Sequence, residues 1–517
     1  MMRASSILSK NSALAVRHAK MGDQISGLVV PIFEGFSYSG NLLESIDKFT
    51  NGAFKSQLEA TGHTGKANHV SILYGLDKTL PRVAVVGLGK PFPEAACGTT
   101  EAQKSCDSLR KASALAARSL RDSGADHVVF GSVRGSADFQ PLAEGAALGL
   151  YKFDHYKSQK PEDADKKKEV EAIGLLYEGS LNQECASSFE RGTIYARYQN
   201  MARDLMNIPA NDMTPTIFGQ EAQRLLTADG LKVTVRDRKW IEEQKMGSFL
   251  SVTNGTDQPP AFVEVEYKTA ERPEGPVVLV GKGVTFDSGG ISIKPSSGMG
   301  MMKGDMGGAS VVLSTIAGLA QLGVKTHVVG LIPLCENMPS GRATKPGDVV
   351  VARSGTTIEV DNTDAEGRLI LCDALDYAKT FKPSMIMNFA TLTGAMDVAL
   401  GFGCTGVFCK NDDLWQRIDK HGRATQDLLW RMPILDDYRE AVKASVADLI
   451  NSTATRSAGS CTAAAFLEAF VDEDMPWAHF DIAGVMHSGK TAGYHVAGMT
   501  GRPVRPLIDM IAAMEKK

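Results

Sequence analysis

Short runs of β-branched and aliphatic residues alternate with helical stretches along most of the chain. In the first third these runs occupy 26–33, 82–87 and 126–132, and a stretch from Thr99 to Gly124 begins with an N-cap candidate and ends on a glycine. Because strands that alternate with helices pack as layers, this order predicts an α/β fold. Nine further segments continue the alternation, with strands at 231–236, 261–267, 276–281, 325–332, 384–390 and 477–482 and helices at 308–322, 367–380 and 459–470.

One long amphipathic pattern divides the chain. Apolar residues recur at helical spacing within 181–208, and Pro209 ends the pattern. A chain of 517 residues suggests two or three domains at ~150 residues each. We therefore predict two domains with a mixed central sheet flanked by helices in the larger one: a smaller N-terminal α/β domain over 21–180, a linker helix over 181–209 and a larger C-terminal catalytic α/β domain over 210–517.

Charge and composition exclude several classes of protein. Lys and Arg number 56 against 60 acidic residues, which gives a formal charge of -4, so no nucleic-acid partner is expected. The chain has no apolar stretch long enough for a membrane span, and no membrane partner is expected. Its eight cysteines contain no CxxC pair, which argues against a disulfide framework and for a reducing compartment.

Residues 1–20 differ in composition from the rest. They are rich in basic residues and serines and contain no acid, as in a mitochondrial transit peptide. Arg3, Lys10 and Arg17 would share one face of an amphipathic helix. We predict a mitochondrial protein, with a frayed basic N-terminus in a cytoplasmic protein as the alternative.

Acidic and basic side chains cluster next to glycines after a buried strand. Lys282, Asp287 and Lys294 lie in LVGKGVTFDSGGISIK, and Asp305 lies in KGDMGGAS. In DNTDAEGRL, extended backbone would project Asp364, Glu366 and Arg368 to the same side. Clustered carboxylates repel one another unless cations bind between them, and hard oxygen ligands suit two divalent ions that share a water. From these residues alone, a metal site and a set of helix caps or surface charges both remain open.

Histidine chemistry has no comparable support. The ten histidines are dispersed, and no nucleophile elbow or phosphate-binding loop is present. His479 lies inside the apolar run WAHFDIAG, which favours a core histidine with satisfied hydrogen bonds over a ligand.

The carboxylate motifs resemble those of the leucyl (cytosol) aminopeptidase family of two-metal exopeptidases. NTDAEGRL at 362–369 is the most specific of them, and VGKGVTFDSGGISIK, DMGG, NMPSGRATKPGDVV and ATLTGA flank it in the family's order. The resemblance covers the C-terminal domain and, weakly, the GLVV and VVGLGK strands of the first domain. It implies an enzyme that hydrolyses the first peptide bond of a peptide.

The resemblance also implies a role for each residue. Asp287 and Glu366 would bridge two metals, Lys282 and Asp305 would complete one, and Asp364 the other. Lys294 would polarise the scissile carbonyl, and Arg368 would anchor a bicarbonate ion that acts as base for the metal-activated water. Substrate contacts would come from Asn362, Thr391, Leu392 and Gly394, and the pocket for the N-terminal side chain from Met302, Ala483 and Met486.

Substrates, cofactors and assembly follow from the same resemblance. We expect short peptides with N-terminal Leu, Met or other apolar residues, two divalent ions (Zn or Mn, alternatively Mg or Co) and a homohexamer built as a dimer of trimers. A catalytically weak member with a structural or assembly role is the alternative, and a two-metal phosphoesterase is a second one. Gly300 and Gly304 stand where relatives carry larger residues, and we expect them to loosen the loop that leads to Asp305.

Overall fold

The computed structural model describes residues 14–38, 42–92, 100–132, 135–158, 169–453 and 455–515. The chain divides into two compact units, the first of Met1–Asn200 with Gly489–Ala497 and the second of Met201–Ser488 with Gly498–Lys517. The predicted boundaries at 21–180, 181–209 and 210–517 stay a prediction. Across the described ranges, every helix is too short or too polar to span a bilayer.

The first unit has a mostly parallel sheet between two helical layers. The order of its described strands is β1-β7-β6-β3-β5-β4, and β2 also pairs with β7. Among these described strands, only β4 runs antiparallel to its neighbour. The strands are β1 (Ala15–Val16), β2 (Ala19–Lys20), β3 (Gly27–Ile32), β4 (Val70–Tyr74), β5 (Arg82–Gly87), β6 (His127–Phe130) and β7 (Ala172–Tyr177). The helices are α1 (Leu42–Phe49), α2 (Ala53–Ala60), α3 (Thr100–Asp122) and α4 (Ser136–Gly149), followed by α5 (Gln183–Asn207), which ends two residues before Pro209.

Alternate residues of the strands in this sheet pack into opposite hydrophobic cores. Val29 faces the cluster formed with α3 and α4, whereas Leu28 and Val30 face the cluster formed with α1 and α2. Strands that are apolar on both faces are typical of parallel sheets covered on both sides. The predicted α/β class is therefore confirmed.

The segment before β3 is partly extended. Ala15 and Ala19 pair in parallel with Ala172 and Leu176 of β7, and the Arg17 amide donates to the Ile173 carbonyl at 2.9 Å. The helix predicted for the start of the chain is therefore wrong at these positions, because the open edge of β7 offers backbone hydrogen bonds that a helix could not use. Residues 1–13, which hold the rest of that prediction, lie outside the described residues.

The second unit has a mixed sheet, as predicted. The order of its described strands is β17-β16-β19-β15-β10-β12-β9-β8, with β11 also paired to β12. The strands β12, β10, β15 and β19 are parallel. Strand β9 runs antiparallel to both of its neighbours, and β16 runs antiparallel to β19 but parallel to β17. The strands of this unit are β8 (Leu231–Arg236), β9 (Ala261–Lys268), β10 (Val277–Gly281), β11 (Gly283–Asp287), β12 (His327–Asn337), β13 (Asp348–Val351), β14 (Thr357–Val360), β15 (Met385–Ala390), β16 (Thr405–Cys409), β17 (Leu429–Met432), β18 (Leu449–Ile450), β19 (Trp477–Asp481), β20 (His487–Ser488) and β21 (Gly498–Met499).

Helices cover both faces of this sheet. A large apolar cluster joins Val278 and Val280 of β10 to helices on one face, and α9, buried over nearly its whole length, packs against the same strands from the other. The helices are α6 (Pro215–Leu225), α7 (Arg238–Glu243), α8 (Gly247–Val252), α9 (Gly307–Gln321), α10 (Glu366–Ala378), α11 (Gly394–Leu400), α12 (Asp412–Thr425), α13 (Asp436–Ala441), α14 (Gly459–Glu468) and α15 (Val504–Ala512), with 3-10 turns at Thr253–Gly255, Met299–Gly304 and Lys379–Phe381.

Candidate functional site

The predicted metal ligands gather where strands of the second sheet end. Lys282 follows β10 directly, Asp287 is the last residue of β11, and Glu366 is the first residue of α10. In open α/β sheets, the carboxyl ends of the strands form the crevice in which ligands bind. Lys294, Asp305 and Asp364 reach the same edge from the connecting loops.

Three carboxylates of this group are close enough to share cations. Asp287, Asp364 and Glu366 each present an oxygen, and these oxygens all lie within 4.8 Å of one another. Asp287 and Glu366 are only 2% and 1% exposed. Buried like charges at this spacing require positive charge between them.

Two lysines provide part of that charge. The Lys282 ammonium lies 2.7 Å from Asp305 Oδ2 and 2.7 Å from Glu366 Oε1. The Lys294 ammonium lies 2.7 Å from Asp287 Oδ2 and 2.5 Å from Asp364 Oδ1. Four carboxylates thus face two ammonium groups, and the cluster keeps an excess of negative charge.

The pKa values of the lysines follow from this balance. Burial acts to lower the pKa of Lys282, but the charges of Asp305 and Glu366 outweigh it and raise that pKa above its usual value. The pKa of Lys294 is raised in the same way, with Asp287 and Glu366 opposing the effect of burial.

The raised pKa values of the carboxyl groups indicate that the two lysines do not fully balance the negative charge of the cluster. Burial, followed by the charge of Asp287, raises the pKa of Asp364 to about 6, and burial raises that of Asp305 well above its usual range. Oδ2 of Asp305, Oδ1 of Asp364 and Oε1 of Glu366 are buried and have no partner with hydrogen-bond geometry in the described part of the chain, although lysine nitrogens lie close to them. Carboxylate oxygens that lack a hydrogen-bond donor are free to act as hard ligands, so this donor set fits divalent metal ions.

Asn337, which the sequence analysis did not single out, positions Asp287. The two residues are register partners at the ends of β11 and β12, and Asn337 Nδ2 donates to Asp287 Oδ1 at 2.9 Å. The Gly289 amide donates to the same oxygen at 2.9 Å, which leaves Oδ2 facing the cluster. Asn337 stands in NMPSGRATKPGDVV, and only the strand register reveals its contact.

A second missed residue, Asp481, holds the loop after β15. One of its oxygens accepts the amides of Leu392, Thr393 and Ala483, and the other accepts the Thr393 hydroxyl. Burial raises the pKa of Asp481 to about 6. In the same loop, the Thr391 hydroxyl donates to Asp305 Oδ1 at 2.7 Å, so this predicted substrate contact borders the carboxylate cluster.

Arg368 lies in the first turn of α10 and is 7% exposed. Its Nη1 donates to the Asn451 carbonyl at 2.6 Å, and its Nε has no partner among the described residues. Burial lowers the pKa of Arg368 to about 10, while Glu366 and Asp481 act to raise it. A buried guanidinium with an unused N–H is suited to hold a small anion.

The remaining predicted contacts lie around the cluster. The Asn362 side chain accepts the Asp364 amide at 2.8 Å, and Gly394 begins α11. Leu392 and the pocket residues Met302, Ala483 and Met486 are all partly accessible.

The segment with the two unusual glycines is not a loose loop. Met299–Gly304 is a 3-10 turn, and Gly304 is buried. A Cβ on Gly304 would lie 3.0 Å from Met486 Sδ and 2.6 Å from Met499 Cε, whereas one on Gly300 would meet nothing within 4 Å. Gly304 therefore provides room for two methionines, one of which is a predicted pocket residue.

His479 is fully buried on β19. Its Nδ1 lies 2.8 Å from Asn388 Nδ2, but its Nε2 has no partner in the described ranges. The prediction of a core histidine with satisfied hydrogen bonds is thus correct for Nδ1 and wrong for Nε2.

Comparisons with known proteins show the family of the chain. The model of the cytosol aminopeptidase family catalytic domain matches residues 200–508, and that of the family's N-terminal domain matches residues 29–160. The cytosol aminopeptidase of Homo sapiens is 46% identical over 510 residues, which cover 96% of this chain and 94% of the relative. That of Dictyostelium discoideum is 43% identical over 503 residues, covering 96% and 94%.

Solved structures give the same result. A mutant of tomato leucine aminopeptidase has a TM-score of 0.81 and 30% identity, covering 99% of this chain and 98% of its own. The bottromycin maturation enzyme BotP in complex with Mn also has a TM-score of 0.81 and 30% identity, covering 95% and 100%.

Proposed function

The chain belongs to the cytosol aminopeptidase family and is a metal-dependent aminopeptidase, and on this basis we propose that it removes apolar residues, Leu and Met above all, from the N-termini of short peptides. The observation that carries the proposal is the cluster of Asp287, Asp364 and Glu366, in which Asp287 and Glu366 are buried and Asp364 is partly exposed, and whose oxygens lie within 4.8 Å of one another. The lysines beside it leave the negative charge only partly compensated.

The cluster would hold two divalent cations. Asp287 and Glu366 would bridge them, Lys282 and Asp305 would complete the first, and Asp364 the second. When bound, such ions polarise a scissile carbonyl and lower the pKa of a shared water to about 7. The mainly oxygen ligands suit Zn or Mn, and also Mg or Co. Lys282 would bind as the neutral amine, since a cation takes over the charge that its ammonium now provides.

Lys294 would act on the substrate. Its side chain is 21% exposed, against 3% for Lys282, so it is the lysine of the pair that a peptide can reach. Its ammonium would donate to the scissile carbonyl oxygen and stabilise the charge that develops there. Loss of one such donor typically raises a barrier by ~3 to 4 kcal/mol.

Arg368 would hold the base. We propose that its buried guanidinium binds a bicarbonate ion beside the cluster, and general-base catalysis is the chemistry which that ion supplies when bound. The unpartnered Nε and the lack of a carboxylate ion pair among the described residues support this role.

An apolar pocket would select the N-terminal side chain. Met302, Ala483 and Met486 would line it, and Asn362, Thr391, Leu392 and Gly394 would contact the peptide. One methylene in such a pocket changes discrimination by only ~1 to 3 kcal/mol, so we expect broad specificity.

Assembly and location are further proposals. We propose a homohexamer arranged as a dimer of trimers, and exposed apolar side chains such as Val398 (89%), Val446 (68%) and Trp430 (58%) offer surface that an assembly could cover. The basic, acid-free start of the chain supports delivery to mitochondria.

Hydrolysis of leucyl amide by the purified protein tests the activity. The protein is dialysed against a chelator and assayed before and after Mn or Zn is restored. We expect turnover to disappear on dialysis and to return with metal, and Asp364→Ala to stay at least about 100-fold slower because a ligand is missing.

Asp361→Ala is the matched control, since Asp361 is an exposed acid only three positions from Asp364. It should behave as the wild type does. Recovery of Asp364→Ala to within tenfold of wild type would contradict the assigned ligand. A folded wild-type assembly without turnover under any of the metals would favour the structural role instead.

A further inference from the structure

A hydrogen-bonded chain in the core determines the tautomer of His479. Trp477 Nε1 donates to Asn388 Oδ1 at 2.9 Å, and Asn388 Nδ2 lies 2.8 Å from His479 Nδ1. An indole N–H can only donate, so the amide of Asn388 must present its oxygen to Trp477 and its NH₂ to His479. Nδ1 is therefore the acceptor, and the proton of the imidazole is on Nε2.

Burial favours the neutral imidazole, and two aromatic rings pack against its faces. Burial, and then the charge of Arg368, lower the pKa of His479 to about 3. The ring stacks on Phe408, with centroids 5.8 Å apart, and on Trp477, with centroids 6.4 Å apart. His479 Nε2–H is thus a single donor with a defined direction.

This donor has no acceptor in the described part of the chain. His479 is 0% exposed, and Nε2 has no hydrogen-bond partner there. Nε of Arg368, whose charge acts on His479 through the protein interior, is buried and equally without a partner. Buried polar groups are nearly always paired, so two buried, unpaired donors on residues that interact electrostatically indicate an acceptor that the described residues do not provide.

No described residue supplies that acceptor. Asp481 is the carboxylate two residues from His479 on the same strand face, and both of its oxygens already accept from the loop at Leu392 and Thr393. A small oxyanion would satisfy both donors and neutralise the guanidinium.

We propose that His479 Nε2–H is a second donor to the small oxyanion held by Arg368, which makes this core histidine part of the anion site. The inference rests on the proposed function, because bicarbonate is the oxyanion proposed there. It adds the residue that orients the anion, and it adds the Trp477–Asn388 pair that determines which nitrogen of His479 carries the proton.

The test measures bicarbonate binding in two ways. The first is the rise of the thermal unfolding midpoint with sodium bicarbonate, at constant pH and at an ionic strength held constant with sodium chloride. The second is the bicarbonate concentration that gives half of the maximal leucyl amide turnover in the metal-loaded enzyme.

Three variants separate the donor from the packing. His479→Phe keeps a ring of similar size and removes the donor. Asn388→Asp keeps the imidazole but replaces the amide donor with a carboxylate, which accepts a hydrogen bond from Nδ1–H and so favours the neutral tautomer whose Nε2 carries no hydrogen. Phe408→Leu removes a stacking partner and leaves the hydrogen bonds intact.

We expect the half-saturating bicarbonate concentration to rise roughly 10- to 100-fold in His479→Phe and Asn388→Asp, and to stay at the wild-type value in Phe408→Leu. A lower unfolding midpoint with unchanged half-saturation in the first two variants would overturn the inference and leave His479 a packing residue.

The same data distinguish the two proposals. Metal-restored turnover without any bicarbonate response in the wild type would overturn the anion inference and leave the peptidase activity standing. A bicarbonate-dependent midpoint in a wild-type protein without turnover would keep the anion site and reject the proposed function.

Discussion

Replacement of Asn337 by alanine should weaken metal binding although Asn337 is not a proposed ligand. Its Nδ2 donates to Asp287 Oδ1 and to the Thr363 carbonyl, each at 2.9 Å. The bond to the carboxylate is worth ~1.5 to 3 kcal/mol and the bond to the carbonyl ~0.5 to 1.5 kcal/mol. Since Asn337 is 4% exposed, water cannot easily replace its side chain, and we expect a total loss of about 2 to 4.5 kcal/mol in the free energy of unfolding.

The effect on metal affinity follows from the freedom that Asp287 gains. With only the Gly289 amide left on Oδ1, the carboxylate can rotate away from the cluster. Loss of a hydrogen bond that orients a metal ligand typically costs about 10- to 100-fold in affinity. Competition with a fluorescent chelator measures the affinity, and urea denaturation measures the stability.

Asn254→Ala is the control for this experiment. Its amide also donates to a side chain, the Thr344 hydroxyl at 3.2 Å, but at an exposed position, so both quantities should stay near wild type. A metal affinity of Asn337→Ala within threefold of wild type would refute the argument, because Asp287 would then be held in place without Asn337.

Three further perturbations test other parts of the structure. Gly367→Ala places a Cβ 2.8 Å from Nζ of Lys282 and should lower kcat about tenfold or more because it displaces that side chain. Gly341→Ala is the control, since a Cβ there meets nothing within 4 Å, and its kcat should not change. Equal kcat values for the two variants would contradict the close packing at Gly367. Removal of residues 1–20 deletes β1, β2 and the buried Leu14. The thermal unfolding midpoint of the shortened protein should therefore fall by several degrees relative to that of a protein that begins at Leu14. Matching midpoints would show that the edge strands contribute nothing to stability. Burial raises the pKa of Asp373 in the folded state to about 7, compared with ~4 in the unfolded state. Protonated Asp373 therefore contributes its full stabilisation of the folded state below pH ~4, and this stabilisation is lost as the pH rises to about 7. The urea unfolding free energy of the wild type should therefore lose a few kcal/mol more than that of Asp373→Asn between pH 4 and about 7, and parallel pH profiles would reject the shifted pKa.

The sequence predicted the strands that carry the site because each is a short, mostly apolar run. The run PVVLVG correctly predicted β10, and Asp287, a few residues beyond it, lies at the carboxyl edge of the sheet. By contrast, β11 was missed because its five residues contain a polar Thr285 and end on Asp287, which resembles a loop. The same omission concealed Asn337, whose contact with Asp287 depends on the pairing of β11 with β12.

Residues 14–20 and His479 show a different limit. Composition favoured a basic leader at the start of the chain, but hydrogen bonding to the open edge of β7 decided the conformation of Ala15 and Ala19. For His479, an apolar neighbourhood correctly predicted burial, but the state of each ring nitrogen depends on Asn388, 91 residues away in sequence. Contacts between residues so far apart cannot be obtained from local patterns.

The return of Gly489–Ala497 to the first unit affects the order of events during synthesis. Tyr494 donates to Asp107, and the Gly493 carbonyl accepts from Arg118, so these contacts form only after nearly all of the chain has left the ribosome. At bacterial to eukaryotic elongation rates, the nascent first unit waits roughly 15 to 60 s between translation of residue 200 and of residue 497. During this interval the surface of α3 that later receives Tyr494 is accessible to chaperones.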